Sequence, residues 1–302
     1  MEITTVLGSV SRENLGPVSV GEHLMCDAYW VTGFVDYLLN DEKLAVDELA
    51  AYASAGGRTL VEPTNTGLRR DPEALKRISE ASGVNVVMGC GWYRQRHYPL
   101  DLERRSTNDL AREMIQDLTV GAGSSGIRAG IIGEIGVTLD YVSAGEERVL
   151  RAAARAHHAT GAAIYVSSEF HPVGLAQLEI LKEEKVDPRR VVVGHADSYL
   201  ETSYHEAIVS QGALVAYDGI GKKQVYPDAR RAVMIKGLID AGHGDRIVLG
   251  CGISRRSELH AYGGVGYDHL LRQFIPMLRQ QGLAEEQIQL LTVANPARVL
   301  AG

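Results

Sequence analysis

Eight short apolar runs alternate with eight longer segments of helical spacing, and three of the runs end in an ionisable side chain. This alternation predicts an α/β protein whose parallel sheet closes into a single (β/α)8 TIM barrel. The strand candidates lie near residues 18–25, 59–64, 84–90, 128–135, 163–168, 190–195, 213–218 and 246–251. They are rich in Val, Ile and Thr and read as short apolar stretches bounded by glycine, the pattern of strands covered on both faces. Between them, Glu48–Ser54, Ala74–Ala81, Asp109–Leu118 and Glu146–Ala159 carry helical spacing. Leu175–Glu184, Tyr204–Gln211, Arg230–Ala241 and Tyr267–Gln281 continue the series. Right-handed crossovers wind such a series in one direction and close it. Glu285–Leu291 then reads as a helix, followed by a turn and a short terminal helix with Asn295 as N-cap and Pro296 in the first helical position.

The chain shows no internal repeat, low-complexity stretch or linker, so one domain over residues 1–302 is expected. A barrel of this kind takes roughly 250 residues as one unit. A hydrophobic content of 45% and a charged content of 23% are those of an ordinary globular protein. The net charge of -7 and the lack of a basic stripe argue against nucleic acid or an anionic membrane as partners. No apolar run approaches the ~20 residues of a membrane span, and the N-terminus lacks a signal-peptide layout. A cytoplasmic protein acting on a small molecule is expected. Arg69-Arg70 and Lys222-Lys223 read as solvated faces or anion contacts. Cys26, Cys90 and Cys251 are too few and too scattered for a disulfide framework or a Cys-x-x-Cys zinc site. They read as small buried apolar residues, although each falls near a strand end.

The strand ends carry the chemistry. Arg128-Ala129-Gly130-Ile131-Ile132-Gly133-Glu134-Ile135-Gly136 delivers one carboxylate, Glu134, at the end of a buried strand. A buried carboxylate without a partner costs several kcal/mol, roughly, so Glu134 must meet a cation, a metal or a hydrogen-bond donor. Val18-Ser19-Val20-Gly21-Glu22-His23 delivers His23, and Val191-Val192-Val193-Gly194-His195 delivers His195. Barrel enzymes place their active sites at the C-terminal ends of the strands, so the three groups are expected to form one site.

These stretches resemble the phosphotriesterase family of the amidohydrolase superfamily, and its phosphotriesterase-related homology proteins most of all. The resemblance extends over nearly the whole chain. It also rests on Val193-Gly194-His195-Ala196-Asp197, Tyr217-Asp218-Gly219-Ile220-Gly221-Lys222 and Ile253-Ser254-Arg255-Arg256. Gly263-Gly264-Val265-Gly266-Tyr267-Asp268 and Asn295-Pro296-Ala297-Arg298 complete it. The resemblance implies a two-metal centre held by a His-x-His, a Glu or carboxylated Lys, two further His and an Asp. Position by position, Gly21 stands where the first His belongs, Ser167 replaces the fifth-strand His and Gly252 the eighth-strand Asp. His23, Glu134 and His195 remain. Half the ligand set is missing, and a neutral hydroxyl is a poor zinc ligand, so a family-type binuclear centre is not expected.

Three functions are therefore weighed. The leading one is a cofactor-free enzyme in which His195, tuned by Glu134 and Asp197 and flanked by His23, takes or delivers a proton near neutral pH. It suits an activated lactone, ester or thioester, or a proton-transfer cyclisation, elimination or isomerisation. Tyr165, Ser167, Tyr217, Asp218, Lys222 and Arg255 are candidate substrate or oxyanion contacts, or alternatively barrel packing. Gly21 and Gly252 are expected to leave adjoining room for substrate. The second keeps a single zinc on His23, Glu134 and His195, helped by Glu22 or a cysteine, for lactone, ester or amide hydrolysis. The third is a non-catalytic descendant that binds a small molecule. His171, next to Pro172, reads as a surface histidine. The resemblance makes a homodimer plausible.

Overall fold

The computed structural model describes residues 2–301. Eight parallel strands follow one another around the sheet in sequence order. They are β1 (Val18–Ser19), β2 (Thr59–Glu62), β3 (Asn85–Cys90), β4 (Ile131–Gly136), β5 (Ile164–Ser167), β6 (Val191–Gly194), β7 (Leu214–Tyr217) and β8 (Ile247–Leu249). The Val20 N–H donates to the Leu249 carbonyl at 2.9 Å and brings the two ends of the sheet together. The sheet forms a nearly closed TIM barrel.

Helices α1 (Glu42–Ser54), α2 (Pro72–Ser82), α3 (Thr107–Thr119), α4 (Ala144–Thr160), α5 (Gly174–Glu183), α6 (Thr202–Ser210) and α7 (Asp228–Asp240) lie between successive strands. Their starts follow from the sequence. Asp41, Asp71, Ser106 and Ser143 each accept a hydrogen bond from a first-turn N–H of α1, α2, α3 and α4.

Strand parity divides the core in two. Val61, Val87, Ile131, Val192, Leu214, Ala216 and Val248 point into the barrel. Val191, Val193, Val215 and Tyr217 point outward against the helices. An antiparallel hairpin, Glu2–Thr5 with Gly8–Ser11, adds Ile3 to the inner cluster, and the C-terminal helix adds Ala297, Val299 and Leu300.

Two elements depart from the sequence expectation. The first strand is regular only at Val18–Ser19, because Gly21 turns to φ 74° and breaks the extended run. The expected turn before Asn295 is absent. Glu285–Gln289 (α8) continues through a π turn at Leu290–Ala294 into Asn295–Ala301 (α9). Another π turn, Leu270–Phe274, leads into the helix Ile275–Gln280. Each π turn stands just before a proline, Pro276 or Pro296. A proline ring clashes with the carbonyl four residues back in an α-helix, and the wider turn relieves that contact.

Asn295 is fully buried and is not an N-cap. Its Nδ2 donates to the carbonyls of Gly244 at 2.9 Å and Ile247 at 2.7 Å, tying α9 to the start of β8. Asn295→Ala removes both donors and is expected to cost about 2 kcal/mol in denaturant unfolding, since buried acceptors are left unpaired. A loss below about 0.5 kcal/mol would mean that water replaces the amide.

Candidate active site

Parity along each strand decides which polar groups reach the barrel mouth. Leu214 and Ala216 face inward, so Asp218 follows them in and Tyr217 turns out. Val192 faces inward, and two residues later Gly194 stands beside the inward ring of Tyr165. His195 follows with φ 52°, in the left-handed region, and its N–H is held by both Asp218 carboxylate oxygens at 3.0 and 3.1 Å. A non-glycine residue there carries strain of about 1–2 kcal/mol, which these hydrogen bonds offset.

A continuous chain of polar groups crosses the floor of the mouth. The Tyr165 hydroxyl donates to Asp218 Oδ2. The other Asp218 oxygen lies 3.0 Å from His195 Nδ1, and His195 Nε2 lies 3.2 Å from Glu134 Oε1. Glu134 Oε2 is 3.6 Å from His23 Nε2, too far for a direct hydrogen bond. His23 Nδ1 lies 2.7 Å from Thr64 Oγ1, and that hydroxyl donates to Glu62 Oε1 at 2.6 Å. Burial raises the Glu62 pKa to about 7; with Glu62 ionised, the Thr64 hydroxyl proton goes to Glu62 and Thr64 accepts from His23 Nδ1–H. The lone pair of His23 is thereby placed on Nε2, facing Glu134.

The two histidines are driven in opposite directions. Burial lowers the pKa of His23 to about 4, despite the nearby Glu134 charge, and keeps the ring neutral. Burial also opposes charge on His195, but the Asp218 and Glu134 carboxylates outweigh it and hold this imidazole well above the ordinary histidine value. Burial would raise Glu134, yet the charge and hydrogen bond of His195 bring it down to about 2. At neutral pH the floor holds a neutral imidazole, a carboxylate and an imidazolium in a row. Environments that push neighbouring groups apart in this way define acid and base assignments.

Above this floor opens a cavity of about 590 Å³. His23, Glu134, His195, Lys222 and Arg255 line it as the strand-end reading anticipates. Lys222 Nζ lies 3.6 Å from Glu258 Oε1, and Arg255 stacks 4.6 Å from the Tyr37 ring centroid.

The other expected substrate contacts lie elsewhere. Tyr217 is outside the barrel, with its hydroxyl 2.7 Å from His205 Nδ1. Tyr165 and Asp218 are fully buried behind His195, and the buried Ser167 does not line the cavity. Gly21 and Gly252 do not create room. A Cβ on Gly21 would stand 2.6 Å from the Tyr165 hydroxyl and 2.9 Å from Asp218 Oδ2. A Cβ on Gly252 would stand 2.3 Å from the Asp218 carbonyl oxygen. Both glycines also have positive φ, 74° and 59°. The space is already filled, and the backbone itself calls for glycine.

Asp197 makes no hydrogen bond to the His195 ring and acts on it only through its charge. It pairs with Arg231 Nε at 2.5 Å and accepts from the Gly219 N–H. Glu22 is consumed by Ser19 Oγ and by the N–H groups of Cys251 and Ile253, and burial raises its pKa to about 7. Arg70 is not solvated. It pairs with Asp117 at 2.7 Å, both side chains being buried. The three cysteines are buried free thiols, of which Cys26 borders the cavity, and His171 is exposed.

Sequence reasoning missed Glu62 and Thr64, which orient His23, and the Tyr93–His97 wall of the cavity. A signal existed for the first pair, since Glu62-Pro63-Thr64 closes an apolar run just as the three chosen residues do.

A family-type metal centre does not fit these residues. The Tyr165 hydroxyl and the Asp218 carboxylate occupy the volume that a side chain at position 21 would need. Among the described residues, no three His, Cys, Asp or Glu side chains are grouped so as to hold a metal ion. No helix among them is long and apolar enough to cross a membrane.

Fold and site together define a TIM barrel with a buried cluster of histidine and carboxylate side chains at its C-terminal mouth. The chain belongs to the Phosphotriesterase family, whose profile matches residues 1–300. It is 36% identical over 289 residues to the phosphotriesterase homology protein of Escherichia coli K12, covering 96% of this chain and 99% of that protein. It is 30% identical over 340 residues to the N-acetyltaurine hydrolase of Tetraodon nigroviridis, covering 98% and 96%. The crystal structure of the lactonase Lmo2620 from Listeria monocytogenes superposes with a TM-score of 0.94 at 26% identity, covering 99% of both chains. These relatives point to a hydrolase.

Proposed function

We propose that this chain is a hydrolase of small acyl compounds, such as lactones, esters, thioesters or activated amides, that works by acid–base catalysis without a metal. The observation that carries this reading is the opposed pair of histidines on either side of Glu134. His23, neutral with its Nε2 lone pair turned toward the cavity floor, takes a proton from the attacking water. His195, an imidazolium held between two carboxylates, donates toward the carbonyl oxygen and later to the leaving group. Its 3.2 Å contact with Glu134 is long for a charge-assisted hydrogen bond and is the one a substrate oxygen replaces. Glu134 stays ionised and stabilises the imidazolium. Lys222 and Arg255 on the cavity wall favour substrates with negative or developing negative charge.

Activity surviving chelation tests the reading. The chain is purified without chelators, its zinc, manganese, iron and cobalt are counted, and turnover on a lactone, thioester and N-acyl panel is compared before and after chelator treatment. Well under one ion per chain and unchanged turnover are expected. One tightly held ion per chain, with activity lost on its removal and regained on its return, would establish the single-metal hydrolase instead.

A further inference from the structure

The loop after β3 forms a second polar wall of the cavity that the acid–base chain does not use. Arg94 and His97 both line the cavity and are buried, at 8% and 2% exposure. Arg94 Nε and His97 Nδ1 have no hydrogen-bond partner in the folded chain. The same loop also leaves Trp92 Nε1 and the Tyr98 hydroxyl unpaired, but neither residue lines the cavity. The His97 N–H donates to the Arg94 carbonyl at 2.7 Å, and its ring packs 5.1 Å from Tyr93 and 6.1 Å from Trp30. The Arg94 guanidinium lies 4.2 Å over the Tyr93 ring, and its Nη2 donates to Glu169 Oε2 at 2.5 Å.

A buried N–H without an acceptor costs about 1–3 kcal/mol, so the unpaired Arg94 Nε, together with His97 in its Nδ1–H form, marks a place where an acceptor-rich group gains from arriving. Burial and the charges of Arg94 and Arg96 keep His97 neutral, with a pKa near 3. Its Nδ1–H tautomer is a donor. Among the groups lining the cavity, Arg94, Arg96, Lys222 and Arg255 outnumber the carboxylates Glu134 and Glu169, so the cavity keeps an excess of positive charge.

We propose that this wall is an anion subsite that binds a carboxylate group of the substrate, with Arg94 and His97 as donors. A planar carboxylate matches the guanidinium fork, and the Tyr93 ring holds that fork in place. Glu169 competes for the same cation and sets how readily the subsite fills. The subsite stands on the loop after β3, whereas Lys222 and Arg255 stand on the loops after β7 and β8, which leaves Glu134 on the cavity floor for the acyl group to be cleaved. This inference rests on the cavity being the substrate site. It narrows the substrate to a small acyl compound bearing a free carboxylate.

Calorimetric titration of the full chain with butyrate, glutarate and dimethyl glutarate tests it. The two acids should bind saturably and the diester should not. Arg94→Gln should weaken acid binding at least tenfold. Glu169→Gln, which removes the competing carboxylate, should strengthen it several-fold, and this gain stays informative if Arg94→Gln folds poorly. Equal binding of acid and diester, or no binding up to tens of millimolar, overturns the subsite. So does loss of acid binding on Lys222→Met while Arg94→Gln retains it, which would place the carboxylate on the other wall. Binding is read here without turnover. Failure of the subsite and failure of acid–base hydrolysis are therefore separate results.

Discussion

Replacing His195 by glutamine is expected to lower kcat/KM by roughly 10²–10⁴-fold on any substrate the chain hydrolyses, the range of a lost general acid. Glutamine keeps a polar side chain of similar reach but cannot carry the proton or the charge. The fall is in kcat rather than KM, because the interaction strengthens as charge develops on the substrate oxygen. The pH profile gives an independent reading. The proposed mechanism needs His23 neutral and His195 protonated. It should therefore fall only as pH drops through about 4, where His23 gains its proton, and should persist well above pH 6.5 until His195 loses its own. Stability carries the same signs. His23 has a lowered folded pKa, so the unfolded chain takes up its proton first and stability declines as pH falls from about 6.5 toward 4. His195 has a raised folded pKa, so its contribution is full below about 6.5 and is lost as pH rises through the folded value. An optimum confined between pH 6 and 7, or full turnover by the glutamine variant, would remove His195 from the mechanism.

Gly21→Ala is expected to destabilise the fold by about 3 kcal/mol, with overpacking and a positive φ each contributing. The added methyl would meet the Tyr165 hydroxyl at 2.6 Å, and the backbone φ is 74°. Tyr165→Phe removes that hydroxyl, so the double variant should recover about 1 kcal/mol relative to the sum of the single changes. The backbone part of the penalty remains. Denaturant unfolding of the four proteins in the cycle measures this coupling. Additive effects would mean that Tyr165 and position 21 do not compete for the same space. The same geometry predicts that Gly21→His alone does not rebuild a metal centre, because Tyr165 and Asp218 already stand in the histidine's place.

Glu134, His23 and His195 were legible because each closes an apolar run, and barrel topology brings such ends together. Lys222 and Arg255 were legible through the motifs around them. Tyr217 was misplaced although the signal was present. Leu214 and Ala216 face the barrel interior, so a residue one step later must face the helices. The role of Gly21 and Gly252 was not legible. Glycine in a sequence does not distinguish an empty space from one filled by a distant residue, and here the fillers are Tyr165 and Asp218, from two other strands. Arg94 and His97 read as ordinary loop residues because nothing in their neighbours announces burial.

The sequence by itself determined the barrel, the family and the strand ends that meet at its mouth. These depend on periodicity and on the order of short motifs, which are local and additive along the chain. Only the tertiary structure decided the assignment of opposite tendencies to the two rings, with His195 held charged between two carboxylates and His23 buried and neutral. That assignment depends on which carboxylate, hydroxyl or apolar wall stands within about 3 Å of each ring, and those neighbours come from strands far apart in sequence.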